Sequence, residues 1–237
     1  MAEPQMREIV LDTETTGFEP SEGHRIVEIG AIELIGHLPT GRTFHKYLNP
    51  ERAMPKEAFE VHGLGDDFLR GKPLFRAVAQ DFLSFIGAAR LVIHNAAFDM
   101  KFLNAELAQI GLPPLEFARA IDTVQIARAK FPGAPASLDA LCRRFGVDNS
   151  GREKHGALLD SEILAEVYLE LIGGRQPDFG LSSAGSSIAM GANAALTTSR
   201  ARPRPQVLPP RLTPEEAAAH QDFIVKLGPD SVWIRRG

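Results

Sequence analysis

Apolar positions in the first half of the chain follow the period of β-strands. Positions 9–11 form an unbroken apolar, β-branched run that predicts a strand buried on both faces. Positions 25–35 and 41–48 show further strand patterns, and short turns separate the three segments. Strands joined by short turns pair antiparallel. The pattern therefore predicts an antiparallel meander of three strands.

Helical periodicity dominates from position 73 onwards. Apolar residues recur at helical spacing in three long segments, which cover residues 73–86, 96–110 and 158–172. Short strands are predicted at 91–93 and 120–121, and a helical turn near position 55 is followed by a loop at 61–63. Predicted N-caps are Asn95, Asp122 and Ser137. Strands first in a meander and then alternating with helices predict an α/β fold, with a mixed sheet covered by helices on both faces.

The composition changes after position 173, which divides the chain into three parts. Residues 1–173 carry the predicted α/β domain, and residues 174–206 are a predicted flexible linker rich in Gly, Ala, Ser, Pro and Arg. Residues 207–237 contain a capping box, Thr213 to Glu216, which predicts a helix to about Leu227. This tail has too few apolar residues for its own core. We therefore expect it to dock on a partner.

Charge and cysteine content exclude some classes of protein. The formal net charge is -4, so a nucleic acid would have to be held locally rather than by bulk electrostatics. The one cysteine, Cys142, excludes an internal disulfide and suits a reducing compartment. No apolar run approaches 18 residues, and no secretory signal is evident. These features predict a cytoplasmic protein with no membrane partner.

Two acidic residues lie at the end of the first predicted strand. Asp12 and Glu14 are two positions apart, so their side chains point to the same side of the strand. Partly desolvated like charges are unfavourable without a counter-charge, and this segment contains no Lys or Arg. A divalent cation would supply that charge. The alternative is a solvated strand end with no ligand.

Two further acids begin apolar helical faces. Asp99 shares a face with Phe102 and Leu103, and Asp160 heads a stripe of apolar residues in the last predicted helix. Each could instead be favoured by the helix dipole alone. His155 lies five residues before Asp160 in a polar loop, where a histidine is often only solvated. Beside a metal-bound water, however, a histidine is well suited to accept a proton.

Together these residues predict metal-dependent phosphodiester hydrolysis. Four carboxylates select Mg²⁺ or Mn²⁺ over Zn²⁺. Two such ions can bind both the attacking and the leaving oxygen of a displacement at phosphorus. The predicted metal ligands are Asp12, Glu14, Asp99 and Asp160.

Three ordered motifs resemble the DEDD exonuclease superfamily. They are LDTETTG at residues 11–17, HNAAFD at residues 94–99 and HGALLD at residues 155–160. The histidine five residues before the last aspartate is similar to the histidine branch of that superfamily. Within this branch, the chain resembles the proofreading (epsilon) subunits of bacterial DNA polymerase III.

The resemblance implies an RNase H-like fold and a 3′–5′ exonuclease that releases nucleoside 5′-monophosphates. It implies that the four acids bind two metal ions and that His155 is the general base. It further implies that Thr15 and Thr16 meet the terminal nucleotide of a single-stranded or frayed 3′ DNA end, and that Phe98 packs on its base. Residues 61–63, with His62, resemble a loop lining that pocket, although a plain helix-terminating loop is equally compatible.

The resemblance also implies protein partners. The tail, with Phe223 and Trp233, is similar to a segment that binds the catalytic (alpha) subunit of the polymerase. The sequence from Gln176 through Phe179 to Leu181 loosely resembles a sliding-clamp peptide, and a small accessory subunit is a further expected partner. An RNA-trimming exonuclease, or an adaptor between polymerase and clamp, are the alternative functions.

Overall fold

The computed structural model describes residues 6–152, 154–174 and 213–227. The strands in these residues are β1 (Arg7–Thr15), β2 (Ile26–Ile35), β3 (Leu38–Tyr47), β4 (Arg90–Ile93) and β5 (Ala120–Asp122). The helices are α1 (Lys56–His62), α2 (Asp66–Leu69), α3 (Phe75–Ile86), α4 (Ala96–Gln109), α5 (Thr123–Lys130), α6 (Leu138–Phe145), α7 (Ala157–Ile172) and α8 (Pro214–Leu227). Short 3₁₀ turns cover Pro20–Glu22 and Phe117–Arg119.

The strands form a five-stranded mixed sheet in the order β3-β2-β1-β4-β5. β1, β2 and β3 pair antiparallel, whereas β4 pairs parallel to β1 and β5 parallel to β4. The predicted meander and mixed α/β fold are therefore confirmed. β1 lies at the centre, and its C-terminal end extends beyond the residues that pair with β4.

Alternation along β1 divides the core between the two faces of the sheet. Ile9 and Leu11 belong to a cluster that includes apolar residues of α3 and α4. Val10 belongs to a second cluster with residues of α5, α6 and α7. All three side chains are completely buried. The apolar run of β1 is explained by this burial on both faces.

Gly30 sets how closely α7 approaches the sheet. A Cβ atom at Gly30 would lie 2.2 Å from the backbone of Ala157 and Leu158. The Ser161 hydroxyl donates a hydrogen bond to the Gly30 carbonyl at 3.0 Å. The N-terminus of α7 can therefore rest directly on β2, which brings Asp160 to the end of the sheet.

Two predicted helix caps are confirmed and one is wrong in detail. The side chains of Asp122 and Ser137 accept hydrogen bonds from the Val124 and Ala140 amides. Asn95 occupies the N-cap position of α4 but has φ 70° and makes no capping side-chain bond. Its amide instead donates to Asp122 Oδ1 at 3.3 Å. The left-handed backbone at Asn95 departs from the extended conformation that is usual for a residue whose side chain caps a helix.

The predicted loop at residues 61–63 is wrong in part. Val61 and His62 form the last turn of α1, and Gly63 ends that helix with φ 76°. α2 was not predicted, because four residues carry too little periodicity to be recognised.

α8 belongs to a second unit of the chain. The predicted capping box is present: the Thr213 hydroxyl accepts from the Glu216 amide, and the Thr213 amide donates to the Glu216 carboxylate. Most of the linker, including Gln176, Phe179 and Leu181, and the end of the tail, including Trp233, lie outside the described residues. In the described ranges, no helix is sufficiently long and apolar for a membrane span.

Candidate active site

The four predicted metal ligands line one cavity at the C-terminal end of β1. β1 supplies Asp12 and Glu14, the first turn of α4 supplies Asp99, and the first turn of α7 supplies Asp160. The cavity has a volume of about 440 Å³. Asp99, Asp160 and Glu14 are 2%, 3% and 8% exposed, respectively. Three segments that are distant in sequence thus place carboxylates in a single buried pocket.

Local contacts hold these carboxylates in place. The Thr13 hydroxyl donates to Asp99 Oδ1 at 2.7 Å, which ties α4 to the end of β1. The Asp160 amide donates to the Gly156 carbonyl at 2.8 Å within the first turn of α7. Ligand atoms of Glu14, His155 and Asp160 all lie within 4.8 Å of one another.

Burial and mutual repulsion perturb the acids. The pKa of Asp12 is raised well above its ordinary value by burial and then by Asp99, Glu14 and Asp160. The pKa of Glu14 is raised to about 8 by burial, by Asp160 and by Glu28, which lies opposite it on β2. Burial also raises the pKa of Asp99 to about 7, although the hydrogen bond from Thr13 opposes this. The carboxylate forms of these groups lack sufficient positive charge around them.

Asp160 behaves differently because an arginine pairs with it. Burial acts to raise its pKa, but the neighbouring His155 and the hydrogen bonds from Arg152 outweigh this effect and lower the pKa. Arg152 Nε and Nη2 lie 2.5 and 2.7 Å from the two carboxylate oxygens. Asp160 therefore has a positively charged partner within the protein. The arginine comes from a loop that is remote from β1 in sequence.

The donor set fits divalent cations. Its four carboxylates offer only oxygen atoms, the ligands that Mg²⁺ and Mn²⁺ prefer. The raised pKa values of Asp12, Glu14 and Asp99 indicate that the pocket favours added positive charge, which a bound cation would supply.

His155 lies at the edge of this pocket. Its side chain is 49% exposed, and its Nδ1 lies 3.4 Å from Asp160 Oδ2. Arg152 Nη2 donates to the same Nδ1 at 2.8 Å. The His155 amide donates to the Val61 carbonyl at 3.3 Å, so the histidine loop rests on α1. A ring that is close to the acids and open to solvent can exchange protons with water.

A second cavity adjoins the acidic one. It has a volume of about 410 Å³, a size that accommodates small ligands. Glu14 and Phe98 line both cavities. All four residues predicted to contact substrate line it, namely Thr15, Thr16, His62 and Phe98.

Hydrogen bonds fix the polar wall of the second cavity. The Thr16 amide donates to the Arg25 carbonyl at 2.9 Å, and the Thr15 hydroxyl donates to the Gly17 carbonyl at 2.7 Å. His62 Nδ1 accepts from the Leu64 amide at 3.0 Å, and burial lowers the pKa of His62. Its buried Nε2 has no hydrogen-bond partner among the described residues. A buried polar atom of this kind calls for a partner, and a bound ligand is one group that would supply it.

Three residues of the site were missed by the sequence analysis. Phe18 lines both cavities with a side chain that is 79% exposed. A large apolar residue directly after the first motif was the signal that could have found it. Arg152 and Asp139 also line the acidic cavity, where Asp139 accepts hydrogen bonds from Arg152 and Asn149. Their spacing in sequence gave no such signal.

Of the residues predicted to bind protein partners, Phe223 lies in the described part of the chain. Phe223 lies on α8, where its side chain is 58% exposed. The other predicted partner-binding residues, Gln176, Phe179, Leu181 and Trp233, fall outside the described residues.

Four carboxylates and a histidine meet at the end of the central strand of a mixed sheet, and a cavity of nucleotide size adjoins them. This arrangement is that of a metal-dependent exonuclease. The model of the exonuclease family RNase_T matches residues 9–168. Among solved structures, the nuclease domain of 3′hExo, a DEDDh family member bound to rAMP, has a TM-score of 0.61 at 22% identity and covers 71% of this chain and 92% of that chain. At this identity the likeness shows the fold alone. The RNase H-like fold is confirmed.

Curated relatives specify the family further. The DNA polymerase III subunit epsilon of Rickettsia conorii is 50% identical over 225 residues, covering 94% of this chain and 96% of the relative. The subunit of the same name from Escherichia coli K12 is 44% identical over 237 residues, covering 96% and 97%. The chain belongs to the family of DNA polymerase III epsilon subunits. Its activity is that of a proofreading 3′–5′ exonuclease, in a family that depends on divalent cations.

Proposed function

We propose that the chain removes nucleotides from the 3′ end of a DNA strand with two bound Mg²⁺ or Mn²⁺ ions. Asp12, Glu14, Asp99 and Asp160 are the proposed ligands and His155 the proposed general base. The observation that carries this proposal is the meeting of these five side chains in one cavity that adjoins a second cavity of nucleotide size. The DNA substrate rests on the names of the curated relatives.

The proposed reaction divides the work between the ions and the protein. When bound, the ions stabilise the charge that develops on the attacking and leaving oxygens. His155 accepts the proton of the attacking water, for which a ring that is half exposed and 3.4 Å from Asp160 is well placed. The water oxygen bonds to phosphorus as the bond from phosphorus to the 3′ oxygen of the penultimate nucleotide breaks. That 3′ oxygen takes up a proton from solvent, and the terminal residue leaves as a nucleoside 5′-monophosphate.

The second cavity is the proposed site of the terminal nucleotide. Thr15 and Thr16 present a polar wall whose backbone is held by neighbouring hydrogen bonds. Phe98 packs with its ring centroid 5.0 Å from that of Phe102 and offers an apolar surface for the base. The His62 Nε2 hydrogen is available for a polar atom of the nucleotide.

The proposed partners use the C-terminal part of the chain. We assign residues 1–173 to the exonuclease domain, 174–206 to a flexible linker and 207–237 to a tail that binds the alpha subunit of DNA polymerase III. Phe223, Val225 and Leu227 on α8 are all exposed, which supports a docking role. Relatives of the same name cover the tail as well as the domain. The proposal also includes polymerase contact through Trp233 and binding of the sliding clamp through Gln176, Phe179 and Leu181. A small accessory subunit is a further proposed partner, and the proposed location is the cytoplasm.

A nuclease assay tests the function. The full chain is expected to digest a DNA primer with a mismatched 3′ end faster than a matched one in Mg²⁺ or Mn²⁺, and not in EDTA. Asp12→Ala combined with Glu14→Ala should abolish hydrolysis, whereas Asp67→Ala, at an exposed acid outside the cavity, should not. Activity that survives the double change would place the ions elsewhere. Faster turnover of a short RNA than of DNA would reject the DNA assignment.

A further inference from the structure

Arg152 occupies the acidic cavity with every nitrogen of its guanidinium group engaged. Nε and Nη2 donate to the two Asp160 oxygens, and Nη1 donates to Asp139 Oδ1 at 2.7 Å. Nη2 also donates to His155 Nδ1 at 2.8 Å. The Arg152 side chain is only 9% exposed. Its described hydrogen bonds therefore all end on residues of this cavity.

Arg152 is the one Lys or Arg among the described residues that line this cavity. Five acids line the same cavity, namely Asp12, Glu14, Asp99, Asp139 and Asp160. A planar guanidinium binds a carboxylate through two parallel hydrogen bonds, and this geometry is satisfied at Asp160. Both Asp160 oxygens are consequently in use by a protein cation. A metal ion that binds Asp160 must compete with that contact.

The contact with His155 has a second consequence. An arginine can only donate hydrogen bonds, so Nδ1 of His155 accepts through its lone pair. In a neutral imidazole the other ring nitrogen, Nε2, then carries the hydrogen. A ring in this arrangement has no free lone pair with which to accept a proton. Arg152 thus engages both Asp160, a proposed metal ligand, and His155, the proposed general base.

Asp139 offers Arg152 a second anchor away from the proposed metal ligands. Its side chain is 47% exposed, and its Oδ1 also accepts from Asn149 at 3.0 Å. The guanidinium could remain paired with Asp139 after it leaves Asp160 and His155. Such a transfer keeps one charged hydrogen bond throughout.

We propose that Arg152 is a placeholder cation that balances the acidic pocket in the ion-free chain and gives up Asp160 and His155 when divalent cations bind. Asp139 is the residue that then retains it. This inference rests on the proposed metal site. It adds a positioning residue that is neither a metal ligand nor the general base.

Calorimetric titration of the full chain with Mg²⁺ tests the proposal without any measurement of activity. Arg152→Met should lower the apparent dissociation constant about tenfold, because both a competitor for Asp160 and a like charge are removed. Arg70→Met is the control, since Arg70 forms an exposed pair with Asp67 and should leave the constant unchanged. A purely structural role for Arg152 predicts weaker binding instead. Work at pH 9 keeps competition from protons small.

A double-mutant cycle identifies Asp139 as the second anchor. Asp139→Asn should weaken Mg²⁺ binding, because Arg152 is then left with Asp160 as its main charged partner. The same change should have a much smaller effect when Arg152 is already methionine. Equal effects in both backgrounds would overturn the role given to Asp139. Arg152→Lys, which retains the charge without the fork, provides a milder variant with an expected decrease of about threefold.

The outcomes separate this inference from the proposed function. Absence of Mg²⁺ binding by the unaltered chain would refute the proposed metal site itself. Binding by the unaltered chain, with an equal or larger dissociation constant for both Arg152 variants, would overturn the placeholder role alone.

Discussion

At the scale of single residues, neighbouring groups rather than residue type determine the direction in which the pKa of a carboxyl group shifts. Glu14 and Asp160 are both buried carboxylates of the same pocket. The pKa of Glu14 is raised to about 8 by burial, Asp160 and Glu28, whereas that of Asp160 is lowered because His155 and Arg152 outweigh its burial. Glu28 is itself held by His45 Nε2 at 2.7 Å. Two carboxyl groups of one pocket therefore have pKa values shifted in opposite directions.

His155→Ala tests the general base at this scale. We expect turnover to fall by a factor of about 10² to 10⁴, the range for a lost general base, while binding of single-stranded DNA persists. The measurement is single-turnover cleavage with fluorescence anisotropy as the binding assay. His220→Ala, an exposed position on α8, serves as the control. An unchanged rate for His155→Ala would show that another group accepts the proton.

At the scale of elements, the approach of α7 to β2 positions Asp160. Gly30 lets the first turn of α7 touch the strand, and the bond from Ser161 to the Gly30 carbonyl fixes the contact. The acid heading this helix was recognised from its apolar stripe. The role of Gly30 was not recognised from the sequence, because it depends on contact with a helix more than a hundred residues away.

Gly30→Ala should disturb both stability and activity. The added methyl would meet the α7 backbone at 2.2 Å, and overpacking of this kind costs about 1–3 kcal/mol of unfolding free energy. A shift of α7 would move Asp160, and a displacement of about 1 Å can reduce the rate about 10²-fold. Urea unfolding and the nuclease assay measure the two effects. Gly71→Ala, where nothing lies within 4 Å, is the matched control and should change neither quantity.

At the scale of the whole molecule, the buried acids link stability to pH and to metal. Folding raises the pKa of Glu14 from 4.5 to about 8 and that of Asp99 from 3.8 to about 7. Between the unfolded-state and native-state pKa of each group, the native state binds more protons than the unfolded state. The free energy of unfolding therefore falls as pH rises through this range. Asp160 acts in the opposite sense, but only below its ordinary pKa of 3.8. The ion-free protein should therefore lose stability between about pH 4 and pH 8.

Thermal unfolding in EDTA should reveal this loss. We expect Tm to be lower at pH 8 than at pH 5.5 by about 5 °C or more, and saturating Mg²⁺ to raise Tm most at the higher pH. In Asp12→Asn combined with Glu14→Gln, the pH dependence should be weaker because two titrating groups are absent. A Tm in EDTA that is independent of pH in the unaltered chain would contradict the assigned electrostatics.

Removal of residues 207–237 tests the division of the chain between catalysis and assembly. The truncated protein should retain exonuclease activity, because the described site residues all precede position 174. It should no longer elute with the polymerase alpha subunit in gel filtration. Phe223→Ala in the full chain is the finer test, with weaker binding expected from an exposed apolar residue of α8. A complex that survives the truncation would place the interface on the exonuclease domain.

The sequence by itself determined the local features of this protein. Apolar periodicity predicted the meander and the long helices, and the caps at Asp122 and Ser137 were readable because capping depends on neighbours within a few positions. Motif order also predicted which acids belong together. These signals persist in sequence because they arise from hydrogen bonds and burial within single elements.

Only the tertiary structure decided how those elements complete a site. It placed Arg152 against Asp160 and His155, paired the same arginine with Asp139, and placed Phe18 in the lining of both cavities. It also left the Asn95 side chain without a capping bond. Such contacts depend on the distance and orientation between separate elements, which periodicity and local propensity do not specify.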